Sequence, residues 1–122
     1  MNYETATNIE LNFELARKLN LRPYKNPEEG DDAVRVEFRN KAGFKWIDFC
    51  TDWNATMPLA VEHGLDIELP IACLGGIGQI TKYIEGDTDI MVEFVIGDNP
   101  LRAIVICLIK VLEAKNDAGQ KS

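Results

Sequence analysis

The sequence predicts a single-domain, layered α+β fold, and three observations carry that expectation. Three segments place apolar residues at helical spacing. Shorter segments between them alternate apolar and polar residues, the period of a half-buried strand. Turn residues separate neighbouring strand segments closely enough for hairpins, which implies mainly antiparallel pairing. Three helices covering a mainly antiparallel sheet of about five strands give the layered class.

The stretch Phe49 to Leu69 is the expected organising element. Asp52 and Asn54 are both short polar residues able to cap a helix. Asn54 is the preferred start, because Pro58 then removes only one early backbone bond. Trp53, Met57, Ala60 and Val61 share an arc of the helical wheel and are expected to face the core, with Glu62 opposite. Gly64 suits the left-handed residue that ends a helix. Leu65, Ile67 and Leu69 then alternate with Asp66 and Glu68 as a strand.

Elsewhere, Thr7 and Glu10 form a capping box for a first helix over about Asn8 to Leu19. Glu14 and Lys18 pair across one turn of it. Arg22 to Asp32, with two prolines, Gly30 and four acids, reads as a solvated loop. Ala33 to Phe38 and Phe44 to Phe49 are expected to form a hairpin. Gly75, Gly76 and Gly78 read as a flexible connection. Gln79 to Ile84 and Asp89 to Ile96 are two further strands joined through Gly86-Asp87. Asn99-Pro100 opens the third helix, with Asn as cap and Pro in the first turn. Its core arc is Leu101, Ile104, Val105, Leu108, Val111 and Leu112. The expected folded core spans 7–114, and the polar tail 115–122 is expected to fray.

Composition narrows the function classes. At 122 residues, 46% of them hydrophobic, the chain is long enough for one core. A net charge of −7 disfavours direct binding to nucleic-acid phosphates or anionic membranes. The longest apolar run, Ala103 to Ile109, is far short of the ~20 residues that span a bilayer. Cys50, Cys73 and Cys107 are an odd set without paired spacing, which points to free thiols in a reducing compartment. No basic region followed by an apolar run opens the chain, so a soluble cytoplasmic protein is expected.

No residue pattern demands an enzyme. Cys50, Asp52 and the single histidine, His63, are the only members available for a cysteine-hydrolase set, and no family signature surrounds Cys50. Three scattered cysteines and one histidine do not make a zinc site, and no metal or other cofactor is expected. The glycines at 75, 76 and 78 lack the Gly-Lys-Ser/Thr of a phosphate loop. Glu85, Asp87, Asp89 and Glu93 form an acidic cluster that is a candidate surface for a basic protein partner. A solvated hairpin explains the same residues. Trp46, Trp53 and Tyr83 are candidate walls of a small-molecule or hydrolytic pocket, and core packing is their plain alternative. On the third helix, Ala103, Ile106 and Cys107 form a smooth apolar strip opposite the core arc, a candidate self-association surface for a two-fold homodimer.

Two stretches carry a family resemblance. The run from Asp48 to Ile67, with its acid-rich turn, mid-helix Pro58 and Ile-x-Ile-like exit, resembles the NinX family of lambdoid phages, within the wider phage ABA sandwich domain. Asn99-Pro100-Leu101-Arg102-Ala103 resembles the start of that family's last helix, and Ile9 to Leu19 fits its first. The segment Pro70 to Ile96 carries no resemblance. The likeness implies a three-layer α/β/α sandwich and a phage or prophage protein working in the bacterial host cytoplasm. It implies no activity and carries over no catalytic residue. The expected function is therefore that of a non-enzymatic phage accessory protein. It would bind a host or phage protein, with inhibition of a basic nucleic-acid-binding or defence factor as its sharper form.

Overall fold

The computed structural model describes residues 2–3, 5–24, 34–37, 43–70, 76–82, 90–95 and 98–120. Helix α1 (Asn8–Lys18) starts as the capping pattern predicts, with the Thr7 side chain accepting from the Glu10 N–H. It ends on Asn20, which takes φ +60°. The Leu21 N–H then reaches back to the Ala16 carbonyl and the Asn20 N–H to that of Arg17. This left-handed stop closes carbonyls that the helix leaves open, and asparagine pays less than most residues for the backbone conformation. Glu14 lies 2.5 Å from Arg17 and 3.9 Å from Lys18, so the nearer arginine is its closer partner.

Helix α2 (Trp53–Glu62) is capped by Asp52, whose carboxylate accepts from the Asn54 N–H. The expected start at Asn54 is corrected, and Pro58 sits inside the helix. Gly64 takes φ +67° as predicted. The Leu65 N–H bonds to the Ala60 carbonyl and the Gly64 N–H to that of Val61, the same stop that ends α1. The buried face is corrected in part, since Ala60 is buried and Met57 packs against the core as expected. Thr56 and Ala60 face inward, while Trp53 is 49% and Val61 76% exposed. The register that caps on Asp52 and buries the Thr56 hydroxyl against the Phe49 carbonyl turns Trp53 and Val61 outward.

The described residues form six strands in two antiparallel three-stranded sheets. The first joins β1 (Arg22–Tyr24), β2 (Val34–Glu37) and β3 (Phe44–Ile47); the second joins β4 (Asp66–Glu68), β5 (Ile77–Lys82) and β6 (Ile90–Val95). The α+β class with three helices and antiparallel pairing is as predicted, but two sheets replace one sheet of about five strands. The additional strand, β1, lies in the expected loop. It is an edge strand, where Pro23 costs no ladder bond, and a proline holds its own and the preceding residue extended.

Helix α3 (Pro100–Gln120) continues through most of the tail expected to fray. It packs against β5, β6, α1 and α2, while α1 packs against β1 and β2. Within 101–111 only Arg102, Ile106 and Lys110 keep partial exposure. Spaced by four, they form one narrow stripe. The expected self-association strip is corrected accordingly. Ala103 and Cys107 are buried, and Ile106 is half-buried against the core. A helix touched by both its sheet and its sister helices has little face left for water. The Cys107 thiol shows the same burial, which pushes its pKa up to about 11. No helix among the described residues is long and apolar enough to cross a membrane.

Candidate functional site

A groove of about 620 Å³ runs between β6 and the partly exposed stripe of α3. Met91 to Phe94 of β6 form one wall. Arg102, Ala103, Ile106 and Lys110 of α3 form the base, with Tyr3 opposite and Asp98 and Asn99 at one end. Each part has a local cause. Asn99 caps α3 by accepting from the Leu101 N–H at 3.0 Å. Arg102 then reaches back over the N-terminal segment. Its guanidinium donates to Asn8 Oδ1 at 2.7 Å, to the Tyr3 carbonyl at 3.3 Å and to the Ala6 carbonyl. These bonds hold Tyr3 beside α3. Lys110 Nζ lies 5.2 Å above the centre of the Tyr3 ring, within cation–π reach. The Tyr3 hydroxyl donates to Glu113 Oε2 at 3.4 Å. Burial, and next the Glu113 carboxylate, push the Tyr3 phenol pKa up, so it stays a neutral donor.

The second feature is a polar knot at the turn between β3 and α2. Asn12, fully buried on α1, donates from Nδ2 to Asp48 Oδ1 at 2.7 Å. The Cys50 N–H donates to Asn12 Oδ1 at 3.2 Å and to Asp48 Oδ1 at 3.1 Å. Asn99 Nδ2 donates to the Cys50 carbonyl at 2.5 Å, and the Thr56 hydroxyl to the Phe49 carbonyl at 2.5 Å. All three helices therefore satisfy the backbone of one turn, as buried polar groups require. This is the stretch the sequence places at the centre. Its partners Asn12 and Asn99 escaped the sequence reading, because an asparagine within a helix pattern or at a cap has an ordinary local explanation.

The cysteine-hydrolase set does not assemble. Asp52 and His63 flank opposite ends of a helix of 10 residues, about 15 Å at ~1.5 Å per residue. His63 instead accepts a hydrogen bond at Nδ1 from Lys115 Nζ, 2.9 Å away. Burial first, then the Lys115 charge, lower the His63 pKa. The unfolded chain, near 6.5, therefore binds the proton more readily than the folded one. Stability contributed by neutral His63 is present above that value and is lost as pH falls below it. The urea midpoint should drop between pH 7.5 and pH 5.5, and His63→Gln should shrink that drop; equal drops in both proteins would remove the assignment.

The sequence-derived candidates divide. Glu93 is exposed on β6 and lines the groove. Glu85, Asp87 and Asp89 lie outside the described residues, as do Tyr83 and Cys73. Ala103 and Ile106 line the groove base, whereas Cys107 is in the core. Trp46 and Trp53 are both partly exposed and neither borders the groove. No group of three or more His, Cys, Asp or Glu side chains among the described residues is placed to hold a metal ion. Sequence reasoning missed Tyr3, Lys110 and Arg102 as groove residues, since only folding brings the N-terminal segment across α3.

No protein-family model matches this chain, and no curated protein matches it.

Proposed function

We propose that this chain is a small, non-enzymatic accessory protein of phage or prophage origin that acts by binding another protein in the bacterial cytoplasm. The observation that carries the reading is the outward face of the second sheet. Ile77, Met91 and Val95 are about half exposed there. They alternate along the strands with Glu93 and Gln79, while β4 adds Asp66 and Glu68 to the exposed positions. Apolar side chains amid carboxylates suit a partner whose surface combines basic and apolar groups, because the acids steer it and the apolar side chains bury area. A basic nucleic-acid-binding or defence factor of the host has that chemistry. The resemblance of Asp48 to Ile67 and of Asn99 to Ala103 to the NinX family supports the phage source and the layered α/β/α class.

The test is recovery from host lysate on immobilised protein, with charge reversal of Glu68, Glu85, Asp87, Asp89 and Glu93 as the control. A specific basic partner should be retained by the wild type and lost by the folded variant. Retention by both, or recovery of no specific protein, would overturn the reading. The groove along α3 also admits a small-molecule reading. A metabolite or nucleotide that markedly raised the melting temperature of the wild type, and not of an Ile106→Trp variant that fills the groove, would favour it.

A further inference from the structure

We infer that β6 is the seam of a two-fold homodimer, in which the same edge of a second copy pairs with it and closes the groove over α3. The inference stands apart from the partner reading, since it concerns only this chain. In the order β4-β5-β6, one side of β6 has no neighbouring strand among the described residues. Such an edge exposes a row of backbone donors and acceptors that readily pairs with another chain.

The structure shows where that row is closed and where it is open. Asp98 Oδ2 accepts from the Val95 N–H at 3.1 Å, and the Asp98 N–H donates to the Val95 carbonyl at 3.0 Å. Val95 therefore turns its backbone groups away from β5. Antiparallel pairing alternates, so residues two apart share this orientation. Glu93, opposite Gln79, and Met91, opposite Thr81, thus also direct N–H and carbonyl outward, along the edge that walls the groove. Asp98 caps one end, and among the described residues Met91 and Glu93 are the open pair.

Those two residues are self-complementary. With a two-fold axis beside Val92, Met91 faces the partner's Glu93 and exchanges both backbone bonds with it, and symmetry repeats the exchange. Each Glu93 then lies beside a methionine and not another carboxylate, which avoids the like-charge opposition that destabilises sheet pairs. A register centred on Glu93 would oppose two carboxylates and set Met91 against the edge already closed at Val95. The groove carries both signs of charge, with Glu93 and Asp98 along the strand and Lys110 on the helix, while Arg102 is held by Asn8, Tyr3 and Ala6. Ile106, half-buried at the groove base, is the apolar side chain that the second copy would cover. Pairing would also join the two outward faces into one continuous acidic and apolar surface.

Sedimentation equilibrium at tens to hundreds of micromolar tests this. Wild type is expected at twice the 13.7 kDa chain mass. Met91→Pro removes an N–H that the ladder to β5 does not use, so it should give a folded monomer. A monomeric wild type, or a folded Met91→Pro that remains dimeric, would overturn the seam. Should Met91→Pro fail to fold, Val92→Cys decides. Residues facing each other across a narrow antiparallel pair stand about 4.5 Å apart at Cα, within disulfide reach. Mild oxidation should yield a covalent dimer well above the wild-type background, and a yield equal to that background would reject the pairing.

Discussion

Truncation of Leu108 to alanine should lower the stability of this protein by ~2–5 kcal/mol, the range for a large aliphatic side chain removed from a core. Leu108 is fully buried on α3, the helix that touches β5, β6, α1 and α2. The cavity would open where several elements meet, and no single one of them can move in to fill it without losing its other contacts. Urea denaturation read by both fluorescence and circular dichroism should show an earlier midpoint with an unchanged slope. A midpoint equal to that of wild type would mean that α3 is not the packing centre. Trp53→Ala is the matching contrast. With 49% of its surface in solvent, Trp53 should cost less than Leu108 despite its greater size.

Gly78→Ala is the second large effect expected, at ~1–3 kcal/mol or more, because it overpacks a site with no room. A Cβ on Gly78 would lie 2.7 Å from the Glu68 carbonyl oxygen, 2.7 Å from Phe94 Cζ and 2.8 Å from Pro70 Cδ. The Phe94 ring can rotate away, but the carbonyl belongs to β4 and the proline ring is rigid. Relief therefore requires β4 to shift against β5, which disturbs the pairing of Asp66, Ile67 and Glu68. Hydrogen exchange at the amides of 66–68 should accelerate along with a lower melting temperature. Unchanged exchange and melting would show that the strands are not in this close contact.

Gly78 also illustrates what sequence reasoning misses. Together with Gly75 and Gly76 it reads as a flexible connection, yet it lies inside β5, opposite Phe94. Nothing in the chain near Gly78 announces that a phenylalanine and a proline distant in sequence converge on it. Gly64 is the opposite case. It ends a helix, and the signal for that role lies in the neighbouring residues.

The candidate site follows the same division. Glu93 was legible as a surface acid because it belongs to a sequence cluster of acids, and carboxylates are seldom buried without a partner. The groove beside it was not, since it needs Arg102 to hold the N-terminal segment across α3. Helix α3 was legible as a helix, but its burial on nearly every side was not. A helical wheel ranks faces by relative polarity, and the neighbouring elements decide how many of those faces are covered. That difference moved Ala103 and Cys107 from an expected surface strip into the core.

By itself the sequence determined the features set by neighbours in the chain. These are the Thr7 and Asn99 caps, the Gly64 stop, the three helices, most strands and their antiparallel hairpin pairing. Each depends on backbone donors, φ preferences and side-chain period within a few residues. Only the tertiary structure decided the split into two sheets, the choice of Asp52 over Asn54 as cap, the outward turn of Trp53, and the knot joining Asn12, Asp48, Cys50 and Asn99. Those outcomes depend on which distant surfaces compete to be buried and which distant polar groups must be satisfied, and that competition has no signature within a single stretch of sequence.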